Sequence, residues 1–411
     1  DTFGYDSVSV VQGTVDGDLY GTRDVSLGWD ANVGGDVTGR GTITIDGGND
    51  VGGDVFGSGE VTLDWDADVA GSVKSLNKLN LNGGNDIGGE VFSSKDMILS
   101  EQCKIAGNAI SLGMLTMTGA VTIGGDCFSE GNMKLNQQCK VAGNVVTRGN
   151  LTLTGAVTVS GDCFSAGNID SDWNKTINGK LVSYGTFTDG GGSKYNSGIW
   201  GRSITMIKSG TTVNGPDSKP IKYVNSFQTE DWLPFNNLAQ KISQSAMPDI
   251  PDFPDNIDDI EIPEPEIKTF PGIPDVKVTD YLGQPGTKTI TSANLTSGRL
   301  NLATLSPGVY YVADNLTNLD VYGQYSGIIS LITQGKITVY NNVTRKDPEN
   351  DALMILSFNT ASDAISVEEN KTVDALLFTP KGGITSKNKL VLNGGALGYT
   401  VDIGWSGKIY H

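Results

Sequence analysis

Few residue types in this chain could support nucleophilic or zinc-dependent catalysis. The only histidine is His411, the last residue. Ser–His and Cys–His catalysis and histidine-ligated zinc all need this side chain inside a site. The sequence therefore excludes these kinds of chemistry and leaves carboxylate, thiol and aromatic side chains as candidates.

Carboxylates recur along the first half of the chain at intervals of 18 residues or a multiple of 18. Such side chains could bind Ca²⁺ or act as a general acid and base. The residues that share this position are Asp18, Asp36, Asp54, Glu90, Asp126 and Asp162.

Aromatic side chains form two candidate sets for binding carbohydrate, because the C–H faces of pyranose rings are apolar and stack on flat apolar surfaces. The main candidates lie close together in the middle of the chain: Tyr195, Trp200, Tyr223, Trp232 and Phe235. The alternative set recurs at a regular interval: Tyr20, Phe56, Phe92, Phe128 and Phe164.

These regular intervals come from one 18-residue repeat. A β-branched residue recurs from Val15 to Ile177, and glycine follows two positions later, from Gly17 to Gly179. Apolar odd positions alternate with mostly polar even positions, which is the period of a strand. Short strands between Gly-, Asn- and Asp-containing turns predict an all-β fold, a parallel β-helix with 18-residue coils. The seventh position is small, which does not suit a left-handed hexapeptide coil, so we predict a right-handed solenoid.

Coil geometry decides what the cysteines and carboxylates can do. Cys103 and Cys139 share one position of alternate coils, as do Cys127 and Cys163, about 9.6 Å apart. A disulfide needs Cα atoms within about 7 Å, so we predict buried, unbridged thiols without a redox or metal function. Carboxylates of adjacent coils would stand about 4.8 Å apart. We predict a hydrated acidic row without cofactor, with weak Ca²⁺ sites as the alternative.

The fifteenth position of the repeat alternates a bulky side chain with glycine. We predict that each bulky side chain lies over the glycine of the next coil. The alternating residues are Trp29, Gly47, Trp65, Gly83, Glu101, Gly119, Gln137, Gly155, Trp173 and Gly191.

The chain divides into four predicted parts. Residues 1–14 are an N-terminal cap, and residues 15–189 are regular coils. Residues 190–286 are a long irregular insertion, first aromatic and then rich in Pro and acid, that packs on the β-helix. Residues 287–411 return to β patterning as irregular coils that cap or extend the same solenoid. Pro at the density of the insertion forbids interior strand or helix.

The regularly spaced aromatic set occupies an even, outward position, and so large an apolar surface needs a cover. The Pro-rich stretch between Pro248 and Pro274 carries alternating Ile and Phe and is long enough to lie along several coils. We favour this stretch as the cover, with a bound glucan as the alternative.

Composition narrows the possible partners. The chain has 29 Lys and Arg against 47 Asp and Glu, a net charge of −18, so nucleic acid and anionic membranes would repel it. Hydrophobic residues make up 37% of the chain, enough for a sizeable core, and no apolar stretch is long enough to span a membrane. The chain starts at Asp1 without a Met or signal-like segment, so we expect a mature chain or a fragment.

Two resemblances are carried by particular segments. VGGDVFGSGEVTL (residues 51–63) and VAGNVVTRGNLTLTGAVTVSGDC (residues 141–163) resemble bactofilins, the polymer-forming β-helical cytoskeletal proteins. The order of a long β-helix, a Pro- and aromatic-rich segment and then PGVYYVADNLTNLDVYG (residues 307–323) is similar to the tapirins. That second resemblance implies the C-terminal region of a secreted cellulose-binding adhesin with a cell-surface or type IV pilus association.

The sequence thus predicts an extracellular, non-enzymatic adhesin that binds cellulose or a related plant polysaccharide. The first alternative is a structural protein that self-assembles into filaments, as bactofilins do. The second alternative is a polysaccharide lyase or hydrolase, although no lyase motif surrounds any of the few arginines.

Overall fold

The computed structural model describes residues 2–207, 210–214, 220–222, 277–281 and 284–410. The described chain is almost entirely parallel β-structure, wound into a β-solenoid of about 19 turns with almost no helix. The predicted all-β parallel β-helix is confirmed, and its right hand stays a prediction. Two compact units form, residues 59–263 and residues 1–58 with 264–411.

Each regular coil contains three short strands that pair in parallel with the next coil. Val73 pairs with Val91 and Leu79 with Met97, each 18 residues further along. Inward side chains of successive coils, such as Val69 and Ile87, are at most 1% exposed and form continuous apolar rows. Stacking removes these side chains from water, which a single coil could not do.

The unit of residues 59–263 consists mainly of such coils in its described part. Its strands are Val61–Leu63, Asp68–Val69, Val73–Ser75, Leu79–Leu81, Asp86–Ile87, Val91–Ser93, Met97–Ser100, Lys104–Ile105, Ala109–Ser111, Leu115–Thr118, Thr122–Ile123, Cys127–Ser129, Met133–Asn136, Lys140–Val141, Val145–Thr147, Leu151–Thr154, Thr158–Val159, Cys163–Ser165, Ile169–Trp173, Thr176–Ile177, Leu181–Gly191, Lys194–Tyr195, Ile199–Ile207, Thr212–Asn214 and Pro220–Lys222.

The other unit joins the two ends of the chain. Its strands are Thr2–Val10, Gly13–Val15, Leu19–Gly21, Asp24–Leu27, Ala31–Val33, Val37–Gly39, Ile43–Ile45, Asp50–Val51, Val55–Gly57, Lys288–Ile290, Arg299–Asn301, Gly308–Val312, Asn318–Tyr325, Ile328–Thr333, Lys336–Arg345, Ala352–Ser357, Ile365–Val367, Thr372–Ser386, Val391–Ile403 and Gly407–Tyr410. The helices described there are short 3-10 turns at Val278–Asp280, Ser292–Asn294 and Leu302–Thr304, and no helix in the described residues is suited to crossing a membrane.

The first residues of the chain do not form the predicted cap. Thr2–Val10 pairs in parallel with Val391–Ile403 on one side and with Leu19–Gly21 and Asp24–Leu27 on the other. Residues 2–15 are therefore an internal coil whose backbone is bonded on both faces. Val391–Ile403 pairs with Thr2–Val10, so the C-terminal coils stack directly on the first coil of the chain.

The predicted insertion begins later than residue 190. Lys194–Tyr195 pairs in parallel with Thr176–Ile177, and Thr212–Asn214 pairs in turn with Lys194–Tyr195. Coils therefore continue to residue 214 although the apolar pattern weakens. Pro220–Lys222 then pairs antiparallel with the outer edge of Thr212–Asn214. Most of residues 215–286 lies outside the described part of the chain.

Candidate functional site

The regularly spaced aromatic set lies in the outward rows that the repeat predicts, but the rows are buried. In the unit of residues 59–263, Phe92 is 1% exposed and Phe164 is 3% exposed, while Phe128 is partly buried. Strand register places these side chains in one column: Phe92, Ile110, Phe128, Val146, Phe164, Val182 and Trp200. This column packs as a second, outer core and presents no open platform for a ligand.

The equivalent column is covered in the unit that contains the chain ends. Tyr20 and Phe56 are 6% and 7% exposed, and the Tyr20 ring stacks on Phe3 with centroids 4.8 Å apart. Val278 and Tyr281, just after the Pro-rich stretch, pack on a further part of the column. That part consists of Tyr311, Ile332, Leu356 and Phe378. The predicted cover between Pro248 and Pro274 itself lies outside the described residues.

The main predicted platform is not assembled on the described surface. Tyr195 is fully buried inside the coils, where its hydroxyl donates to Asp189 Oδ1 at 2.8 Å and lies 3.0 Å from Ser171 Oγ. Burial raises the pKa of this phenol well above its ordinary value. Trp200 is 9% exposed and is the last residue of the outer column within the described part of the chain. The remaining candidates, Tyr223, Trp232 and Phe235, lie outside the described residues.

The exposed aromatic side chains of the described residues include Tyr340 and Tyr399, but the four most exposed are tryptophans at one corner of the coil, where its second strand ends. Trp29, Trp65 and Trp173 come from the fifteenth position of the repeat, and Trp405 occupies the equivalent turn between Val391–Ile403 and Gly407–Tyr410. Their exposures are 61%, 53%, 61% and 54%. Leaving half of a large apolar side chain in water is unfavourable, and exposed apolar surface often marks a binding site. This corner is therefore the candidate functional site.

The turn itself directs the indole outward. The residue after each tryptophan has a positive φ: 55° at Asp30, 56° at Asp66, 68° at Asn174 and 57° at Ser406. Asp and Asn tolerate this left-handed conformation better than other non-glycine residues. The sequence pair Trp-Asp or Trp-Asn therefore turns the chain from one strand of the coil into the next and leaves the tryptophan side chain outside the coil.

The indole packs on a glycine of the next coil. A Cβ atom placed on Gly83 would lie 2.8 Å from Cε3 of Trp65, closer than real Cβ contacts come. The Trp65 ring therefore rests on the backbone of Gly83, and the predicted packing of bulky residue over glycine is confirmed for this pair. About half of the Trp65 side chain stays exposed all the same.

Polar side chains inside the coil hold the corner from within. At the seventeenth position, Asn85 Nδ2 donates to the Asn82 carbonyl oxygen at 3.1 Å, and Cys103 Sγ donates to that of Ser100 at 2.8 Å. Cys139 Sγ does the same to the Asn136 carbonyl oxygen at 2.7 Å. These bonds satisfy carbonyl groups that the turn points into an apolar interior, where an unpaired group is costly.

Lys175 plays this part at the Trp173 turn. Its side chain is fully buried, and its ammonium donates to the Trp173 carbonyl oxygen at 2.8 Å and to the Asp172 carboxylate. Asp172 Oδ1 also accepts from the Gly155 backbone N–H at 2.8 Å. Burial lowers the pKa of Lys175, and the Asp172 carboxylate opposes that shift. The turn is thus fixed from inside and from the neighbouring coil.

In the unit of residues 59–263 the corner forms a row that we call the corner ridge, made of Trp65, Glu101, Gln137 and Trp173. All four side chains are exposed, and each belongs to every second coil, about 9.6 Å from the next. The coils between them carry glycine at this position, namely Gly83, Gly119 and Gly155.

The unit with the chain ends carries a shorter version of this corner. Ile403 and Leu27 pair with opposite sides of Val10, so Trp405 and Trp29 follow strands that are two coils apart. The turn between them exposes Val11, at 46%.

The carboxylate row has a structural part in the fold. Asp18 Oδ1 accepts from the Asp36 backbone N–H at 2.9 Å, and Asp36 Oδ1 accepts from that of Asp54 at 2.8 Å. In the other unit, Asp126 and Asp162 alternate with Asn108 and Asn144, and the same bonds recur there. No group of three or more potential metal ligands occurs in the described residues.

The four cysteines are free and buried, in agreement with the sequence prediction. Burial raises the pKa of Cys103 and of Cys139 to about 11, so neither thiol is activated as a nucleophile.

The alternation that contains Trp29, Trp65 and Trp173 is visible in the sequence, but packing over glycine was sufficient to explain it. Exposure could be inferred only by noticing that these residues lie where the second strand of the coil ends and the turn begins.

Comparison of the chain with protein-family models, with curated proteins and with solved structures finds no match.

Proposed function

We propose that this chain is an extracellular, non-catalytic adhesin that binds cellulose or a related plant β-glucan through its corner tryptophans. The observation that carries the proposal is that exposed tryptophans stand at one corner of rigid coils, two coils apart for Trp405 and Trp29 in one unit and six coils apart for Trp65 and Trp173 in the other. Indole rings remove apolar sugar faces from water, and the backbone hydrogen bonds of the solenoid fix the distances between rings.

The spacing suits a β-1,4-glucan in particular. In that polymer each glucose is turned over relative to the last, so a given face recurs every second sugar. The two-coil distance of about 9.6 Å is close to this cellobiose repeat. Trp29 and Trp405 in one unit could then meet equivalent faces of one chain.

The polar residues of the corner suit the same ligand. Asp30, Asp66 and Asn174 directly follow tryptophans and are exposed. Their planar oxygen and amide groups can hydrogen-bond the equatorial hydroxyls that surround a stacked sugar ring.

The cell-surface location and a pilus association belong to this proposal through the resemblance to tapirins. The absence of catalysis is also part of the proposal. It is supported by the carboxylates of the repeat, such as Asp18 and Asp126, which are engaged by backbone N–H groups.

End-to-end filament formation is the less favoured alternative. A polymerising solenoid needs open strand edges at its ends. At the end of the unit of residues 59–263, Thr212–Asn214 is already paired on both edges, by Lys194–Tyr195 and by Pro220–Lys222.

The proposal is tested by depletion of the protein from solution with microcrystalline cellulose. A variant with Trp29, Trp65, Trp173 and Trp405 replaced by Ala should bind at least about tenfold more weakly, or about 1.4 kcal/mol. The matched control replaces Ile98 and Met114, both 41% exposed and away from the corner, by Ala and should bind as the unchanged protein does. Equal depletion by all three proteins would overturn the proposal.

A further inference from the structure

The two middle turns of the corner ridge have an unusual backbone. Glu101 and Gln102 both have positive φ, 51° and 69°, and so do Gln137 and Gln138, 51° and 63°. Side chains with a Cβ are disfavoured in this region, and two in succession are more so.

Glycine is available at this turn and is not used. The coils on either side carry Gly83, Gly119 and Gly155 there, with φ of 85°, 87° and 74°. Glycine would adopt the conformation of residues 101, 102, 137 and 138 without strain. Strained non-glycine residues cluster at functional sites, where the side chain itself is needed.

All four of these side chains are exposed, and they lie between two exposed tryptophans in the same row. Register gives the order along the stack: Trp65, then Glu101 with Gln102, then Gln137 with Gln138, then Trp173. Trp65 and Trp173 are six coils apart, a distance of about 29 Å. Stacking groups therefore stand at the ends of a row whose middle offers carboxylate and amide groups.

We propose that the corner ridge binds one β-1,4-linked glucan chain lengthwise, parallel to the direction in which the coils stack. Trp65 and Trp173 stack on sugar rings near the two ends of the bound segment. The pairs Glu101–Gln102 and Gln137–Gln138 hydrogen-bond sugar hydroxyls between them. This inference rests on the proposed function and adds the direction of the chain, the length of the site and the residues that select its linkage.

The geometry makes a distinction among glucans. With one sugar for each coil, about seven sugars are needed to reach both tryptophans, so a trisaccharide can occupy only one end. A β-1,3-glucan curves into a helix and does not keep a two-sugar flat repeat, so it cannot meet all four turns of a straight row.

The first experiment compares a long and a short ligand by titration calorimetry. With soluble hydroxyethylcellulose, Trp65→Ala or Trp173→Ala alone should weaken binding by about tenfold, and the double variant by about the two losses combined, because the two stacks are far apart and act on one chain independently. With cellotriose, each single variant should lose one of two independent weak sites. Equal affinity of the unchanged protein for cellotriose and for the polymer, or equal binding of β-1,3-linked laminarin, would overturn the lengthwise arrangement.

The second experiment tests the middle turns. A variant with Glu101, Gln102, Gln137 and Gln138 all replaced by Gly should bind hydroxyethylcellulose at least fivefold more weakly while its melting temperature is unchanged or higher. The control replaces Gln102 and Gln138 by Asn, which keeps the amides and tolerates positive φ, and should retain most of the affinity.

The outcomes separate this inference from the proposed function. Undiminished polymer binding by the glycine variant, with cellulose binding intact in the unchanged protein, would remove the middle turns from the site and leave the proposed function standing. Absence of cellulose binding in the unchanged protein would remove both.

Discussion

The corner tryptophans depend on side chains that a ligand would never touch. Lys175 is the clearest case, since its buried ammonium joins the Trp173 carbonyl oxygen to the Asp172 carboxylate. Asn85 and Cys103 hold equivalent turns by neutral hydrogen bonds. A charge buried for this purpose is costly and is tolerated only because it is paired.

Replacing Lys175 by Met tests this support. The change keeps most of the apolar stem of the side chain but removes the ammonium that donates to the Trp173 carbonyl and to the Asp172 carboxylate, which retains the Gly155 backbone N–H. We expect the free energy of unfolding to fall by about 1–3 kcal/mol, together with weaker cellulose binding, in urea unfolding and depletion assays. Lys180→Met, at an exposed lysine, is the control and should change neither. A stable variant with unchanged binding would show that Lys175 does not position Trp173.

At the scale of strands and turns, the 18-residue period of the sequence predicts where strands lie and which side chains point inward. The strands between Val15 and Ile177 could be predicted because each residue faces its own counterpart 18 positions away, as Val73 faces Val91. Inward and outward rows follow from the alternation alone.

Long-range pairing was not predictable by the same means. Thr2–Val10 pairs with Val391–Ile403, and nothing in either local pattern specifies its partner. The coils between residues 194 and 214 were also missed, because a buried Tyr195, bonded to Asp189, replaces the usual aliphatic residue and resembles a change of domain.

The candidate site was half predictable for a related reason. Spacing identified the positions of Trp29, Trp65 and Trp173, but packing over glycine produces the same spacing. Trp65 both packs on Gly83 and stays half exposed. Trp405 lies in a coil without the repeat, so only the fold brings it to the same corner.

At the scale of the molecule, the first and last coils of the chain pair directly with each other within one unit. Gly407–Ile409 pairs with Gly13–Val15, and Thr2 pairs with Ala396 and with Leu19. Along the winding of the coils, Thr2 thus follows shortly after Tyr410. Parallel strand pairing, and not a peptide connection, holds these neighbouring coils together.

A circular permutant tests this continuity. We expect a chain with His411 joined to Asp1 by a short glycine linker, and opened between Glu349 and Asn350 in an exposed turn, to fold with a melting temperature within a few degrees of the original. Deleting residues 1–15 should instead unfold this unit in circular dichroism, because the coils on both sides lose their partner. A tolerated deletion together with an unfolded permutant would contradict the internal position of these residues.

The central claim is that the exposed corner tryptophans bind a β-1,4-glucan, and their fluorescence reports on it directly. Four of the chain's six tryptophans, Trp29, Trp65, Trp173 and Trp405, are exposed at the corner. Acrylamide should therefore quench much of the emission of the free protein. Saturating hydroxyethylcellulose should shield these indoles and lower the quenching constant severalfold, whereas laminarin should not. Glucan binding with unchanged quenching would contradict the account, because the ligand would then lie elsewhere.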